Sequence, residues 1–158
     1  YRLETSFSEH DYQPNLWRKD NRNKFIWTVE HVLPQGENIP TEWVKMIANG
    51  DYKKAKEIQA EYVHKLGNLT LTLHNSKLSN GPLNKKQTLK KVNVDGREIK
   101  IGLKNGLALN KLKFRQNGDY ASLEKVRSWD EKSIKKRGKK LIRELIELIS
   151  FSWEKPDI

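Results

Sequence analysis

Two stretches of this chain follow the two-residue rhythm of strands, and others repeat their apolar residues every three or four positions, as helices do. Phe25-Ile26-Trp27-Thr28-Val29 is aromatic and β-branched and predicts a strand, stopped by Pro34 and the polar run Gln35-Gly36-Glu37-Asn38. Leu66-Gly67-Asn68-Leu69-Thr70-Leu71-Thr72-Leu73 alternates apolar with polar and predicts a second strand. Between them, Thr41 as an N-cap predicts a short helix over 42–48, closed by Asn49-Gly50. Asp51 then caps a helix over about 52–64, with Ala55, Ile58, Tyr62 and Val63 on its apolar face. Turn formers fill 75–81, and Pro82 suits the first turn of a helix through 83–91. Val92-Asn93-Val94 and Glu98-Ile99-Lys100-Ile101 flank Asp95-Gly96, a hairpin signal. Ser128 with Glu131 three residues on makes a capping-box pattern. It opens a long helix with Ile134, Leu141, Ile142, Leu145, Leu148 and Ile149 as its apolar positions. Strands and helices in this order predict an α+β fold.

Composition narrows the class. The chain has 158 residues, a length that suits one domain. Its 5 Trp, 5 Tyr and 4 Phe, with many Leu and Ile, are enough to bury a core, which argues against wholesale disorder. It has no cysteine, which excludes disulfide scaffolds, thiolate zinc sites and thiol nucleophiles. There is no apolar run near the roughly 20 residues of a membrane span and no signal-peptide pattern. The expectation is a cytoplasmic protein with no membrane partner. The chain begins at Tyr1, not Met, and so reads as a piece of something longer. The polar residues 1–24 are expected to be a linker or N-terminal extension, and 25–158 the domain.

The charge is +11 overall and unevenly spread. Residues 1–50 carry 6 basic and 7 acidic side chains, whereas residues 74–115 carry 11 basic and 2 acidic. A basic excess gathered in one segment is the electrostatic footprint of a protein that binds a polyanion, most often nucleic acid. The segment is broken by Asn, Gly and Pro and forms no long amphipathic helix, which disfavours a membrane surface.

The chemistry concentrates at Glu30-His31, near the end of the first predicted strand. Adjacent strand side chains point to opposite faces, so the two can serve one site only where the strand bends or ends, as Pro34 suggests. Histidine titrates near neutrality and is suited to take a proton from water. Glutamate and neutral asparagine oxygens suit Mg²⁺, which prefers oxygen and keeps several waters. Asn68 lies where the second strand begins, and Asn75 and Asn80 bracket the following turn. An antiparallel pairing of the two strands would bring these amides toward Glu30-His31.

Three ordered blocks, Glu30-His31-Val32-Leu33-Pro34-Gln35, Leu66-Gly67-Asn68-Leu69-Thr70-Leu71 and Asn75-Ser76-Lys77-Leu78-Ser79-Asn80, resemble the HNH (His-Me finger, ββα-metal) endonucleases. They are most similar to the C-terminal nuclease domain of GmrSD-like modification-dependent restriction and phage-defence enzymes. The likeness runs over 25–91, and more faintly over 107–153, where Trp129-Asp130-Glu131, Ile134, Arg137 and Trp153 match the family's last helix. It implies a ββα-metal core over about 25–91, a basic hairpin region over 92–115 and a helical part over 116–158. By resemblance, His31 is the general base that activates water, and Asn68 the central Asn that orients the loop or the histidine. Glu30 is a metal ligand, with Asn75 or Asn80 as the second, and the cofactor is Mg²⁺ or Mn²⁺. Lys85 matches a family lysine that contacts phosphate. Lys77, Lys86, Lys90 and Lys91 are expected beside it as solvated backbone contacts. Two departures stand out: Glu30 where many relatives carry Asp, and Leu83 where Phe is expected. The implied partners are double-stranded DNA, modified DNA included, and an N-terminal NTPase or modification-sensing domain of the same parent.

Singly, these signals are ordinary. A Glu-His pair at a strand end is a common surface contact, and Asn68 beside Gly67 is a common turn residue. His10, His64 and His74 read as structural or incidental, although His74 adjoins Asn75. The competing expectation is a non-catalytic basic DNA-binding module on a degenerate nuclease fold. The complete Glu30, His31 and Asn set favours the enzyme, because a pure binder has no use for it.

Overall fold

A computed structural model describes residues 15–73, 78–88, 91–94 and 96–153. Asn75, Lys77 and Lys90, expected at the site, lie outside them. Among the described residues, helices are mixed with strands that form three separate two-stranded antiparallel sheets. The first sheet pairs β1 (Trp27–His31) with β2 (Leu69–Leu73), from Trp27 opposite Leu73 to His31 opposite Leu69. Inserted between them are α1 (Thr41–Ala48), α2 (Tyr52–Tyr62) and a single 3₁₀ turn, Leu66–Asn68. Then come α3 (Leu83–Thr88), the hairpin β3 (Lys91–Val94) and β4 (Arg97–Lys100), and α4 (Ala108–Lys111). A last hairpin, β5 (Phe114–Gln116) and β6 (Asp119–Ala121), leads to the long α5 (Glu131–Trp153).

Local chemistry explains most of these boundaries. Asp51 caps α2 as expected, its Oδ1 accepting the Lys54 N–H at 3.0 Å. Thr41, in contrast, is the first helical residue of α1, not its cap. Pro40 holds the cap position with φ −59°, and its carbonyl accepts the N–H groups of Trp43 and Val44. At α5 the cap is Asp130, whose Oδ1 accepts both the N–H and the hydroxyl of Ser133. Ser128 is not part of a capping box: its carbonyl accepts Gln116 Nε2 at 2.9 Å. The β5–β6 hairpin was not anticipated, yet Asn117-Gly118 at its tip is the dipeptide such turns need. Both residues have positive φ, 50° and 90°.

The main core gathers Val32, Leu33, Trp43, Ile47, Ile58, Leu83, Phe114, Trp129 and Ile134, among others. A second cluster of Trp27, Leu73, Ile101 and Leu107 lies on the other side, and Leu16 and Ile26 pack against it. Helix α5 carries apolar residues from Ile134 to Ile149, but the buried ones lie in its first half. Ile134 and Leu141 are buried, whereas Ile142, Leu145 and Ile146 are exposed. No helix of the described residues is long and apolar enough to cross a membrane.

One close approach fixes α5 against the first sheet. A Cβ on Gly67 would lie 1.9 Å from the Ile134 carbonyl oxygen, so the 3₁₀ turn touches the helix backbone to backbone. The buried Arg137 secures the same crossing. Its Nη1 donates to the carbonyls of Gly67 and Leu69, both at 2.8 Å, and Nη2 to that of Leu109 at 3.3 Å. Burial pushes the Arg137 pKa down to about 9, which leaves it charged at neutral pH.

Candidate active site

Strand β1 ends at His31, and the chain turns inward there: Val32 and Leu33 are fully buried. A buried segment without sheet partners must place its polar backbone groups elsewhere. Asn68 takes them. Its backbone carbonyl accepts the Val32 N–H at 3.0 Å, its Oδ1 the Leu33 N–H at 2.8 Å, and its Nδ2 donates to the Leu33 carbonyl at 3.0 Å. The same Nδ2 donates to Val63, and Oδ1 also accepts Trp129 Nε1, each at 2.9 Å. All four hydrogen-bonding positions of the amide are used. Asn68 therefore has none left for a metal or substrate, and acts by holding the loop that follows His31. Gln59 on α2 grips that loop further along, its Nε2 donating to the carbonyls of Pro34 at 2.7 Å and Gly36 at 3.0 Å.

Glu30 and Lys86 form a buried ion pair, with Lys86 Nζ 2.6 Å from Glu30 Oε1 and 2.6 Å from the His31 carbonyl oxygen. Lys86 is wholly buried, which corrects the expectation of a solvated phosphate contact. The reason is its place on α3: the ammonium reaches under the end of β1, where a buried carboxylate and a carbonyl need a donor. Desolvation raises the Glu30 carboxyl and lowers the Lys86 ammonium, and in each case the partner's charge opposes the shift.

A cleft of about 480 Å³ opens beside this pair, lined by Glu30, His31, Pro34, Gln35, Gly36, Ser79 and Asn80. Of the amides expected to ligate, Asn80 is brought to Glu30 and His31 here, and Gly36 makes room for it. A Cβ at Gly36 would lie 2.3 Å from Asn80 Nδ2. Glu30 and Asn80 offer hard oxygens next to a solvent-filled space, which suits a divalent ion that keeps most of its waters. Among the described residues no three His, Asp or Glu side chains gather as a metal cluster.

His31 is partly exposed in this cleft and meets a residue the sequence did not single out. Its Nε2 lies 3.2 Å from Nδ1 of His64, with the two rings edge to face at 81°. His64 follows the end of α2, and nothing in its local sequence marks it; only the fold joins two histidines 33 positions apart. Burial holds the His31 imidazole below its ordinary value, and the charges of His64 and Lys86 push the same way. These influences favour the neutral ring, the form that can accept a proton.

Across α3 from this cleft lies a groove of about 1030 Å³ with Lys85, Lys104, Lys125 and Arg127 on its walls, opposed by Glu42 and Glu124. Lys85 thus stands among basic groups. Lys91 is exposed and pairs with Glu98 across the β3–β4 hairpin at 2.6 Å. Lys104, Lys125 and Arg127 were not singled out from the sequence, because they are scattered along the chain and gather only in the folded groove.

The sequence model of the GmrSD restriction endonuclease C-terminal domain family matches residues 1–144 of this chain. No curated protein and no solved structure matches it.

Proposed function

This chain belongs to the family of GmrSD restriction endonuclease C-terminal domains, and we propose that it is a divalent-metal-dependent DNA endonuclease of the HNH type with His31 as general base. The observation that carries this reading is the cleft that His31, Glu30 and Asn80 line together at the end of β1. The order β1, β2, α3, with β1 paired to β2 and Lys86 of α3 bonded to Glu30 at the end of β1, supports a ββα-metal arrangement.

In this mechanism a water in the cleft gives its proton to the neutral His31 ring, and the resulting hydroxide attacks the scissile phosphorus. One P–O ester bond breaks, and the leaving alkoxide takes a proton from solvent. A Mg²⁺ or Mn²⁺ held by Glu30 with Asn80 or Asn75 would stabilise the charge on the phosphate and the leaving oxygen. Lys86 fixes the Glu30 carboxylate and the His31 carbonyl, which keeps the end of β1 rigid while the proton moves. The DNA backbone is held by the groove behind α3, and an N-terminal sensing domain of a longer parent directs the cut to modified DNA in an anti-phage role.

The test is supercoiled-plasmid cleavage with Mg²⁺ or Mn²⁺, with and without EDTA. Cation-dependent cutting abolished by the chelator is expected. Relaxed circles that precede linear product would identify a nicking enzyme. One observation favours the second reading, a non-catalytic DNA-binding module: Lys86 already neutralises Glu30. Salt-sensitive DNA binding with no cutting under any cation would establish that module instead.

The groove makes its own prediction. Replacing Lys104, Lys125 and Arg127 together by Ala removes three of its cations. The slope of log binding constant against log salt should fall by about 3, the weakening should be similar across DNA sequences, and the melting curve should be unchanged. An unaltered slope in a fluorescence-anisotropy titration would remove the groove from the DNA path.

A further inference from the structure

We infer that His64 is a positioning residue that fixes the tautomer and aim of the His31 ring, an inference that rests on the reading of His31 as the base. Between His31 Nε2 and His64 Nδ1, at 3.2 Å, only one nitrogen can carry the proton. With the proton on His31 Nε2, the His64 Nδ1 lone pair accepts it, and His31 is left with a free lone pair on Nδ1. That is the nitrogen able to take a proton from water in the cleft.

A positioning role needs a rigid mount, and His64 has one. The carbonyl on its N-terminal side, Val63, accepts Asn68 Nδ2 at 2.9 Å, and the one on its C-terminal side, Lys65, accepts the Asn68 N–H at 2.8 Å. The same Asn68 binds Val32 and Leu33, the two residues that follow His31. One asparagine therefore sets both histidine backbones relative to each other. The rings meet edge to face with centroids 5.2 Å apart.

The test compares wild type, His64→Ala, His64→Asn and His31→Ala by steady-state plasmid cleavage and by ¹⁵N NMR of the imidazoles. His64→Ala should lower kcat about 10- to 100-fold, as loss of the partner that orients a metal-bound histidine does, with KM unchanged. His64→Asn, whose amide oxygen can accept the same proton, should recover most of that loss. In wild type, His31 should show a single tautomer protonated at Nε2, and His64→Ala should show a mixture. Full activity in His64→Ala, or equal losses in Ala and Asn variants with the His31 tautomer unchanged, would overturn the inference while leaving His31 as base. Full activity in His31→Ala would instead defeat the reading of the base and this inference with it. The tautomer pattern, recorded without DNA, would then report only a hydrogen bond.

Discussion

Plasmid cleavage by His31→Ala is expected to be about 10²- to 10⁴-fold slower than by wild type, the contribution of a positioned general base. The loss should appear in kcat and not in DNA affinity, since the backbone contacts proposed above lie in a separate groove. Folding should survive. The His31 ring is partly exposed and its described hydrogen bond is to His64, so its removal leaves no buried polar group stranded. The carbonyl of residue 31, which Lys86 uses, is backbone and is retained in the variant. A matching melting curve together with cleavage within a few-fold of wild type would rule His31 out as the base.

The largest loss of stability is expected from Asn68→Ala. The substitution strands the Leu33 N–H, the carbonyls of Leu33 and Val63, and the Trp129 indole N–H, all bound by one side chain that is fully buried. Each buried group left without a partner costs about 1–3 kcal/mol. Even the low end of that range is about 4 kcal/mol in sum, much of the stability of an ordinary domain. Asn68→Asp should not rescue it, because a carboxylate oxygen would face the two carbonyls that the amide nitrogen now satisfies. Urea denaturation followed by tryptophan fluorescence reads the effect directly, with the midpoint expected to fall steeply in both variants. A midpoint close to wild type would mean that water replaces the amide and that the loop does not depend on it.

The comparison of sequence with structure divides along the range of the interactions. Asp51 was readable as a cap because it bonds a residue three positions away. The two strands of the first sheet were readable as apolar alternation, but their limits were not. The first was expected over 25–29 and lies at Trp27–His31, because its extent is set by pairing with Leu69–Leu73, a partner some forty residues distant. That shift puts His31 in the strand's last position, where the chain turns inward to Val32 and Leu33. Residues 66–68, expected to be strand, form a 3₁₀ turn instead, since Gly67 must approach the backbone of α5 and Asn68 must face inward to the loop. Trp129 was noted for its place beside the last helix, but its bond to Asn68 spans 61 positions and has no local sign.

By itself the sequence determined the kinds of most elements, the Asp51 cap and the Asn49-Gly50 stop, the basic character of the middle segment and the family blocks built on Glu30-His31, Asn68 and Asn75 to Asn80. These depend on periodicity, on capping residues within one helical turn and on residue identity, all of which are local. The tertiary structure alone decided what each charged or polar group faces. It buried Lys86 against Glu30 across 56 positions and set His64 against His31 across 33. It also collected Lys85, Lys104, Lys125 and Arg127 around one groove. A lysine's sequence neighbours look the same whether its ammonium is solvated or paired. What separates the two is the desolvation that packing imposes, and packing is settled only when distant segments meet.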